Sequence, residues 1–381
     1  MNEVEVTILC TTYNQELYIR QCLDSLLEQK TEFRYEILIH DDASTDSSLE
    51  IIREYEKRYP HIIRVMTEKK NQYTSGMRSI MVSLMLPLVR GNYIAICQGD
   101  DYWTDTRKLQ KQYEIMIHNL GCSVCAHQTR IISEDGTLTS QMVQQRNISE
   151  GIIAGQDLLR WIGTEDTHLV HTSSLFVRYE AIHEIIGKIP EFMTVSCLDD
   201  RTLLMFLATK GDLYYIDEIM SNYRIMSQQS WSRTVTGDKY KYYLNDLDII
   251  RVIDKFEEYS QGKYNVFFEE YRKRVEFRIK QYELSAKDLI SERYRKYFSQ
   301  LNARQKFYYY ICAYIPAAGR IWRKMKRIMK STRGEGYIDL AVAVLVLVFV
   351  LVIAISLWSA ITLKQDMRYM CEELIATATS T

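Results

Sequence analysis

Apolar and polar positions alternate with two different rhythms over the first 230 or so residues of the chain. Val4–Cys10 is a short apolar, β-rich run that predicts a strand, and Glu16–Gln29 follows with apolar residues at 19, 22, 23, 26 and 27, the spacing of one helix face. The pair recurs. Strands are predicted at Tyr35–His40, Ile62–Met66 and Tyr93–Cys97, and helices at Asp46–Tyr59, Ser75–Val89 and Arg107–His118. Ser123–His127, Ser173–Arg178 and Leu213–Ile216 read as later strands, with a helix at Asp199–Thr209 between the last two. Such alternation argues for an α/β architecture around a mixed, mainly parallel sheet. Beyond about Thr234 the pattern turns helical and charged, rich in Tyr, Lys, Glu and Arg. The expected plan is therefore a domain over 1–234 and a solvated helical extension over 235–318.

A third pattern closes the chain. From Leu340 to Leu363 run 24 consecutive uncharged residues, enough to cross a hydrocarbon core at the helical rise of about 1.5 Å per residue. This predicts a basic juxtamembrane segment at 319–337, a transmembrane helix at 338–363 and a short tail at 364–381. Arg320, Arg323, Lys324, Lys326, Arg327, Lys330 and Arg333 precede the apolar run, whereas Lys364 and Arg368 alone follow it. By the positive-inside rule, the large N-terminal part is expected to face the cytoplasm from a single-pass anchor. Aromatic residues among the bases of 306–329 suggest an interfacial helix along the inner leaflet.

Composition adds exclusions. Gly 15 and Pro 4 are too few for a collagen-like or low-complexity chain. Lys+Arg 48 against Asp+Glu 49 gives a net charge of −1, which offers no argument for nucleic acid. The acidic start Met1–Glu5 lacks the pattern of a secretory signal, so the body is expected in the cytosol, and the 8 scattered cysteines read as buried free thiols. Cys122 and Cys125 have CxxC spacing but no second pair, which argues against a zinc site.

Candidate chemistry gathers where strands end, because an open parallel sheet binds ligands at the carboxyl ends of its strands. The first strand runs into Thr11-Thr12-Tyr13-Asn14, the second into Asp41-Asp42-Ala43-Ser44, and the fourth into Gln98-Gly99-Asp100-Asp101. The first turn lacks the GxGxxG glycines of a dinucleotide fold and is not a P-loop. Adjacent carboxylates such as Asp100 and Asp101 repel unless a positive group lies beside them, and Mg²⁺ or Mn²⁺ shared with substrate phosphates would supply it. The same pair also fits a turn and helix cap, and Asp199-Asp200 an N-cap of the following helix.

Taken together, VTILCTTYNQELYIRQCLDSLLEQ, YEILIHDDASTDSS, GNYIAICQGDDYW, SSLFVR, LDDRTLLMFLATKG and YRIMSQQSWS resemble family 2 of the glycosyltransferases over about residues 4–232. These are inverting enzymes of the GT-A fold that use nucleotide-activated sugars. By position, the resemblance implies that Thr11, Tyr13 and Asn14 line a nucleotide pocket and that Asp42 accepts from the base, with Asp41 beside it. It implies a ribose and sugar contact for Asp100, a metal-ligating role for Asp101, a catalytic base in Asp200 and the preceding acidic position in Asp199. One departure stands out. Met226 occupies the position two after Arg224 where the family often has a histidine, and a thioether is a poor ligand for a hard cation. His168 and His171, three apart before SSLFVR, read more simply as structural residues.

The resulting expectation is a membrane-tethered inverting glycosyltransferase of bacterial surface-polysaccharide or glycolipid assembly. It would use a nucleotide-diphosphate sugar, Mn²⁺ or Mg²⁺ and a glycan or lipid-linked acceptor, with no nucleic acid. The alternatives are a non-catalytic sugar-nucleotide-binding scaffold in the membrane and a nucleotidyltransferase of related fold.

Overall fold

The computed structural model describes residues 4–144, 148–164, 170–196, 199–225 and 238–314, with the isolated positions 364 and 368. In chain order the elements are β1 (Val4–Thr12), α1 (Ile19–Leu27), β2 (Arg34–Asp41), α2 (Ser48–Arg58), β3 (Ile63–Thr67), β4 (Tyr93–Ile96), β5 (Tyr102–Trp103), α3 (Lys108–His118), β6 (Cys122–Ile132), β7 (Leu138–Met142) and β8 (Gly151–Ile153). There follow α4 (Gly155–Ile162), β9 (Phe176–Arg178), α5 (Tyr179–Ile182), α6 (Asp199–Lys210), β10 (Asp212–Arg224), α7 (Lys239–Tyr259), α8 (Asn265–Glu283), α9 (Ala286–Leu289), α10 (Arg295–Ser299) and α11 (Ala303–Tyr314).

The strands form one sheet in the order β3-β2-β1-β4-β9-β6-β10-β5, with β7 on β6 and β8 on β10. Pairs β1–β2, β1–β4, β2–β3 and β6–β10 are parallel; β9 runs antiparallel between β4 and β6, and β5, β7 and β8 are antiparallel additions. The sheet is thus mixed, as expected. Its parallel pairing is confined to β3-β2-β1-β4 and β6-β10, with the antiparallel β9 joining the two sets.

Strand residues feed two cores in alternation. Leu9, Leu38, Ile94 and Ile96 join the cluster on one face, and Ile8, Cys10, Ile37, Ile39, Tyr93 and Ala95 join the cluster on the other. Period-two alternation with both sets apolar is what a sheet covered by helices on both sides requires. Cys10, Cys22, Cys97, Cys122 and Cys125 are free and buried, as the scatter of cysteines predicts. Burial pushes the Cys125 thiol up to about 12, so it is protonated and unreactive at neutral pH.

Two expectations are revised. The helix expected at Ser75–Val89 shrinks to a single π turn at Met81–Met85 followed by a 3₁₀ turn at Leu86–Leu88. Gly76 and Ser79 both hold positive φ, +97° and +52°, and Pro87 removes a donor, so the apolar spacing is overridden by backbone geometry. The second concerns the edge of the first unit. Contacts divide the chain into 1–279 and 280–381, not near 235. Ile249, Val252, Ile253 and Phe256 of α7 and Phe268, Tyr271 and Val275 of α8 share the core of Leu158, Leu203 and Phe206.

In the second unit, α11 buries Tyr309 and Ala313 and leaves Phe307, Tyr310 and Tyr314 exposed along the opposite face. Among the described residues no helix is long and apolar enough to cross a membrane. The predicted span 338–363 and the basic segment 319–337 lie outside the described residues, as does the tail apart from 364 and 368.

Candidate active site

Parallel pairing of β1 with β2 and β4 brings their carboxyl ends to one rim, and β6 and β10 end on the same side. The loop after β1 and the loop after β2 are laced together. Asn14, at φ +51°, accepts at Oδ1 from the Thr45 backbone N–H (2.7 Å), while its own N–H donates to Ser44 Oγ (3.0 Å). Gln15 N donates to Ser48 Oγ (2.7 Å), and Glu16 N donates to Asp46 Oδ2 (3.1 Å). Asparagine tolerates this left-handed backbone better than most residues, which accounts for the residue type. Thr11 and Tyr13 are half-buried beside it, and the Thr11 carbonyl accepts from Gly99 N (3.0 Å). A Cβ on Gly99 would stand 2.4 Å from Gln15 Oε1, so a larger residue there would displace that side chain.

Asp41 and Asp42 are both buried. Asp41 Oδ2 accepts from Ser44 N at 3.0 Å, closing a tight turn around Ala43 at φ +61°. The two oxygens of Asp42 accept from the N–H groups of Gln72 (2.7 Å) and Tyr73 (3.1 Å), so its carboxylate anchors the segment after β3. Each oxygen keeps a second lone pair for a ligand donor.

Across the rim, Asp100 is 8% exposed and Asp101 1%. Asp101 Oδ1 accepts from Arg224 N (3.0 Å); among the described residues its Oδ2 has no hydrogen-bond partner and lies 3.7 Å from His171 Nδ1. Burial, and then the neighbouring Asp100, hold the Asp101 carboxyl well above the usual carboxylate range. Arg224 is buried and ties the rim together: Nε donates to the Asp100 carbonyl (3.1 Å), Nη1 to the Glu134 carbonyl (2.9 Å) and Nη2 to Gln21 Oε1 (2.8 Å). Its guanidinium carbon stands 4.8 Å from the centre of the Tyr18 ring. The His171 ring stacks on Tyr223 at 4.2 Å and accepts at Nδ1 from Ser173 N (3.2 Å). Sequence reasoning passed over His171 as structural and did not single out Arg224 or Gln21. The signal for Arg224 in the sequence was its place in the YRIMSQQSWS stretch.

An orphaned, buried carboxylate oxygen beside a second carboxylate fits a hard divalent cation. Among the described residues no three His, Cys, Asp or Glu side chains converge on one point, so most ligands of such an ion would be substrate oxygens and water. Met226, Gln228, Gln229, Trp231 and His168 lie outside the described residues.

Asp199 and Asp200 open α6, which leads through Gly211 directly into β10 and so runs antiparallel to it. The far end of α6 sits at the start of β6, where Ser123 Oγ donates to the Leu207 carbonyl (2.9 Å). The Asp200 end therefore points towards the side on which β6 and β10 terminate. Asp200 is half-buried, and its Oδ1 accepts from Arg201 N at 2.7 Å. The side chain of Asp199 lies outside the described set.

Residues 7–184 match the model of glycosyl transferase family 2. TuaG, a Bacillus subtilis protein assigned as a glycosyltransferase of teichuronic acid biosynthesis, is 31% identical over 251 residues, 66% of this chain and 88% of its own. An uncharacterized protein of Mycobacterium tuberculosis is 32% identical over 241 residues, and the match spans 62% of this chain and 63% of the relative's length. A mannosyltransferase of Pyrobaculum calidifontis, solved with GDP-Man and Mn²⁺, covers 85% of this chain and 84% of its own at 13% identity and a TM-score of 0.49, a likeness too distant to extend to any residue. The chain belongs to glycosyltransferase family 2, and its mixed α/β sheet with helices on both faces fits the GT-A fold of that family.

Proposed function

We propose that the protein transfers a sugar from a nucleoside-diphosphate donor to an acceptor hydroxyl by a single inverting displacement, in bacterial surface-polysaccharide or glycolipid synthesis. The observation that carries this reading is the buried Asp101 carboxylate, pinned at one oxygen by Arg224 N and, among the described residues, without a hydrogen-bond partner at the other. The loops of Thr11, Tyr13 and Asn14 and of Asp41 and Asp42 form the nucleotide side, where the remaining carboxylate lone pairs can accept from a base. Asp100 faces the ribose and sugar. Asp101 would hold Mn²⁺ or Mg²⁺, which would neutralise charge developing on the departing diphosphate. Asp200 takes the proton of the acceptor hydroxyl, and Asp199 stands beside it at the start of α6.

The membrane belongs to the same reading. The uncharged run at 340–363 anchors the chain in the bacterial cytoplasmic membrane with the catalytic part facing the cytoplasm, and the acceptor is a lipid-linked or membrane-bound glycan. The exposed Phe307, Tyr310 and Tyr314 of α11, which precedes the seven bases of 320–333, supply the aromatic and cationic character of an interfacial helix.

The test is nucleoside-diphosphate release and lipid labelling from UDP-glucose, UDP-N-acetylglucosamine, GDP-mannose and dTDP-rhamnose, with Mn²⁺ and extracted bacterial lipid as acceptor. Transfer from one donor, lost in Asp101→Asn and in Asp200→Asn, is the expected result. Donor binding without turnover in the wild-type chain would instead identify a sugar-nucleotide-binding scaffold, and pyrophosphate release a nucleotidyltransferase.

A further inference from the structure

The Arg201–Tyr271 contact joins the start of α6 to α8, a helix with no sequence motif of its own. Arg201 Nη1 donates to the Tyr271 hydroxyl at 2.6 Å, and Nη2 donates to the Ile162 carbonyl at the end of α4 (2.9 Å). The same Tyr271 ring, 2% exposed, lies 4.6 Å from the Arg201 guanidinium carbon and 5.1 Å from that of Arg274. Arg274 Nη2 in turn donates to the Thr164 carbonyl (2.9 Å). Between these two bridges α4 and α8 approach so closely that a Cβ on Gly163 would stand 2.2 Å from the Phe267 carbonyl oxygen. α4 and α8 thus both bond the guanidinium of Arg201 at the start of α6, and the residue next to it is Asp200, whose carboxylate receives the Arg201 N–H.

We propose that Tyr271 is a positioning residue for the reaction, acting through Arg201 to fix where Asp200 stands at the mouth of α6; this rests on Asp200 being the base. A helix terminus frays unless its first turn is held, and here the hold comes from outside the helix. Proton transfer is steep in distance and angle, so a small shift of Asp200 lowers turnover while the nucleotide side, built on β1, β2 and β4, is untouched. α8 then belongs to the catalytic unit functionally as well as through its shared core.

The experiment uses the full chain in detergent micelles with the best donor of the panel above and extracted lipid as acceptor. Tyr271→Phe, which keeps the ring and deletes the hydroxyl, is expected to lower kcat about tenfold. Arg201→Lys, which keeps the charge and loses the fork, is expected to do at least as much. In both, KM for the donor and the calorimetric Kd for UDP with Mn²⁺ stay at wild-type values, and the acid limb of the kcat–pH profile moves. A wild-type kcat in both variants while Asp200→Asn is inactive overturns the positioning role alone. A parallel loss of kcat and UDP binding overturns it in favour of a general packing role. Turnover retained by Asp200→Asn removes the base assignment and the proposal with it.

Discussion

Asp42 and Asp101 stand on one rim, both buried and of the same residue type, yet their surroundings are opposite. Asp42 is filled: two backbone N–H groups of the segment after β3 point at its two oxygens. Asp101 is half-filled, with one N–H from Arg224 and one oxygen that has no donor among the described residues. A carboxylate with its donors in place holds a loop, whereas one lacking them carries a desolvation penalty that a proton or a ligand removes. The difference sets a carboxylate that holds a loop against one with an oxygen left open among the described residues.

The comparison breaks first at Asp101. Asp101→Asn keeps an acceptor for Arg224 N and is expected to lower transfer by about a hundredfold or more, with Mn²⁺ affinity falling in a titration followed by electron paramagnetic resonance. Unchanged Mn²⁺ binding would end its role. The same carboxyl makes a pH prediction. Its pKa in the folded protein is raised, so the folded chain holds a proton that the unfolded chain has released. Metal-free stability should therefore fall as pH rises from about 4, the ordinary aspartate value, through the raised value, and Asp101→Asn should flatten that slope in urea titrations.

Next comes Asp42. Asp42→Ala leaves two backbone N–H groups without their acceptor and is expected to cost about 1–3 kcal/mol in urea unfolding and to raise the donor KM several-fold. An unaltered donor KM would detach the loop after β3 from the pocket. Asn14→Ala, which loses the bond to Thr45 N and strains a position at φ +51°, should cost about 1–2 kcal/mol. Asn14→Gly should recover the backbone part only.

The smallest effect on transfer is expected behind the rim. Lys108 is fully buried, with Nζ donating to Gln112 Oε1 (2.7 Å) and lying 4.0 Å from the centre of the Trp103 ring. Burial lowers its pKa to about 7. Because the unfolded chain keeps this proton up to the ordinary lysine value while the folded chain gives it up near 7, stability should rise with pH between the two. Lys108→Met should abolish the rise, as seen in melting temperatures across that range.

Much of the first half was legible in the sequence. The alternation around Val4–Cys10, Tyr35–His40 and Tyr93–Cys97 located β1, β2 and β4, and the polar clusters that follow them occupy one rim. What escaped depends on contacts without a local signature. The edge strand β5 has only two residues, and the helix expected at Ser75–Val89 is broken by two positive φ angles that apolar spacing cannot reveal. Residues of α7 and α8 looked like a solvated extension because their charges outnumber the one apolar stripe each contributes to the core. His171 and Arg224 meet Asp101 only once β9, β6 and β10 are aligned.

Arg224 has a consequence for the order of assembly. It reaches Gln21 across 203 positions and the Asp100 carbonyl across 124. Contacts so distant along the chain form late, because loop closure must come first. A nascent chain can pair β1, β2, β3 and β4 while β10 is still inside the ribosome, yet its rim cannot close until this guanidinium emerges. A chain truncated before β10 would lack the Arg224 contacts to Gln21, to the Asp100 carbonyl and to the Asp101 carboxylate.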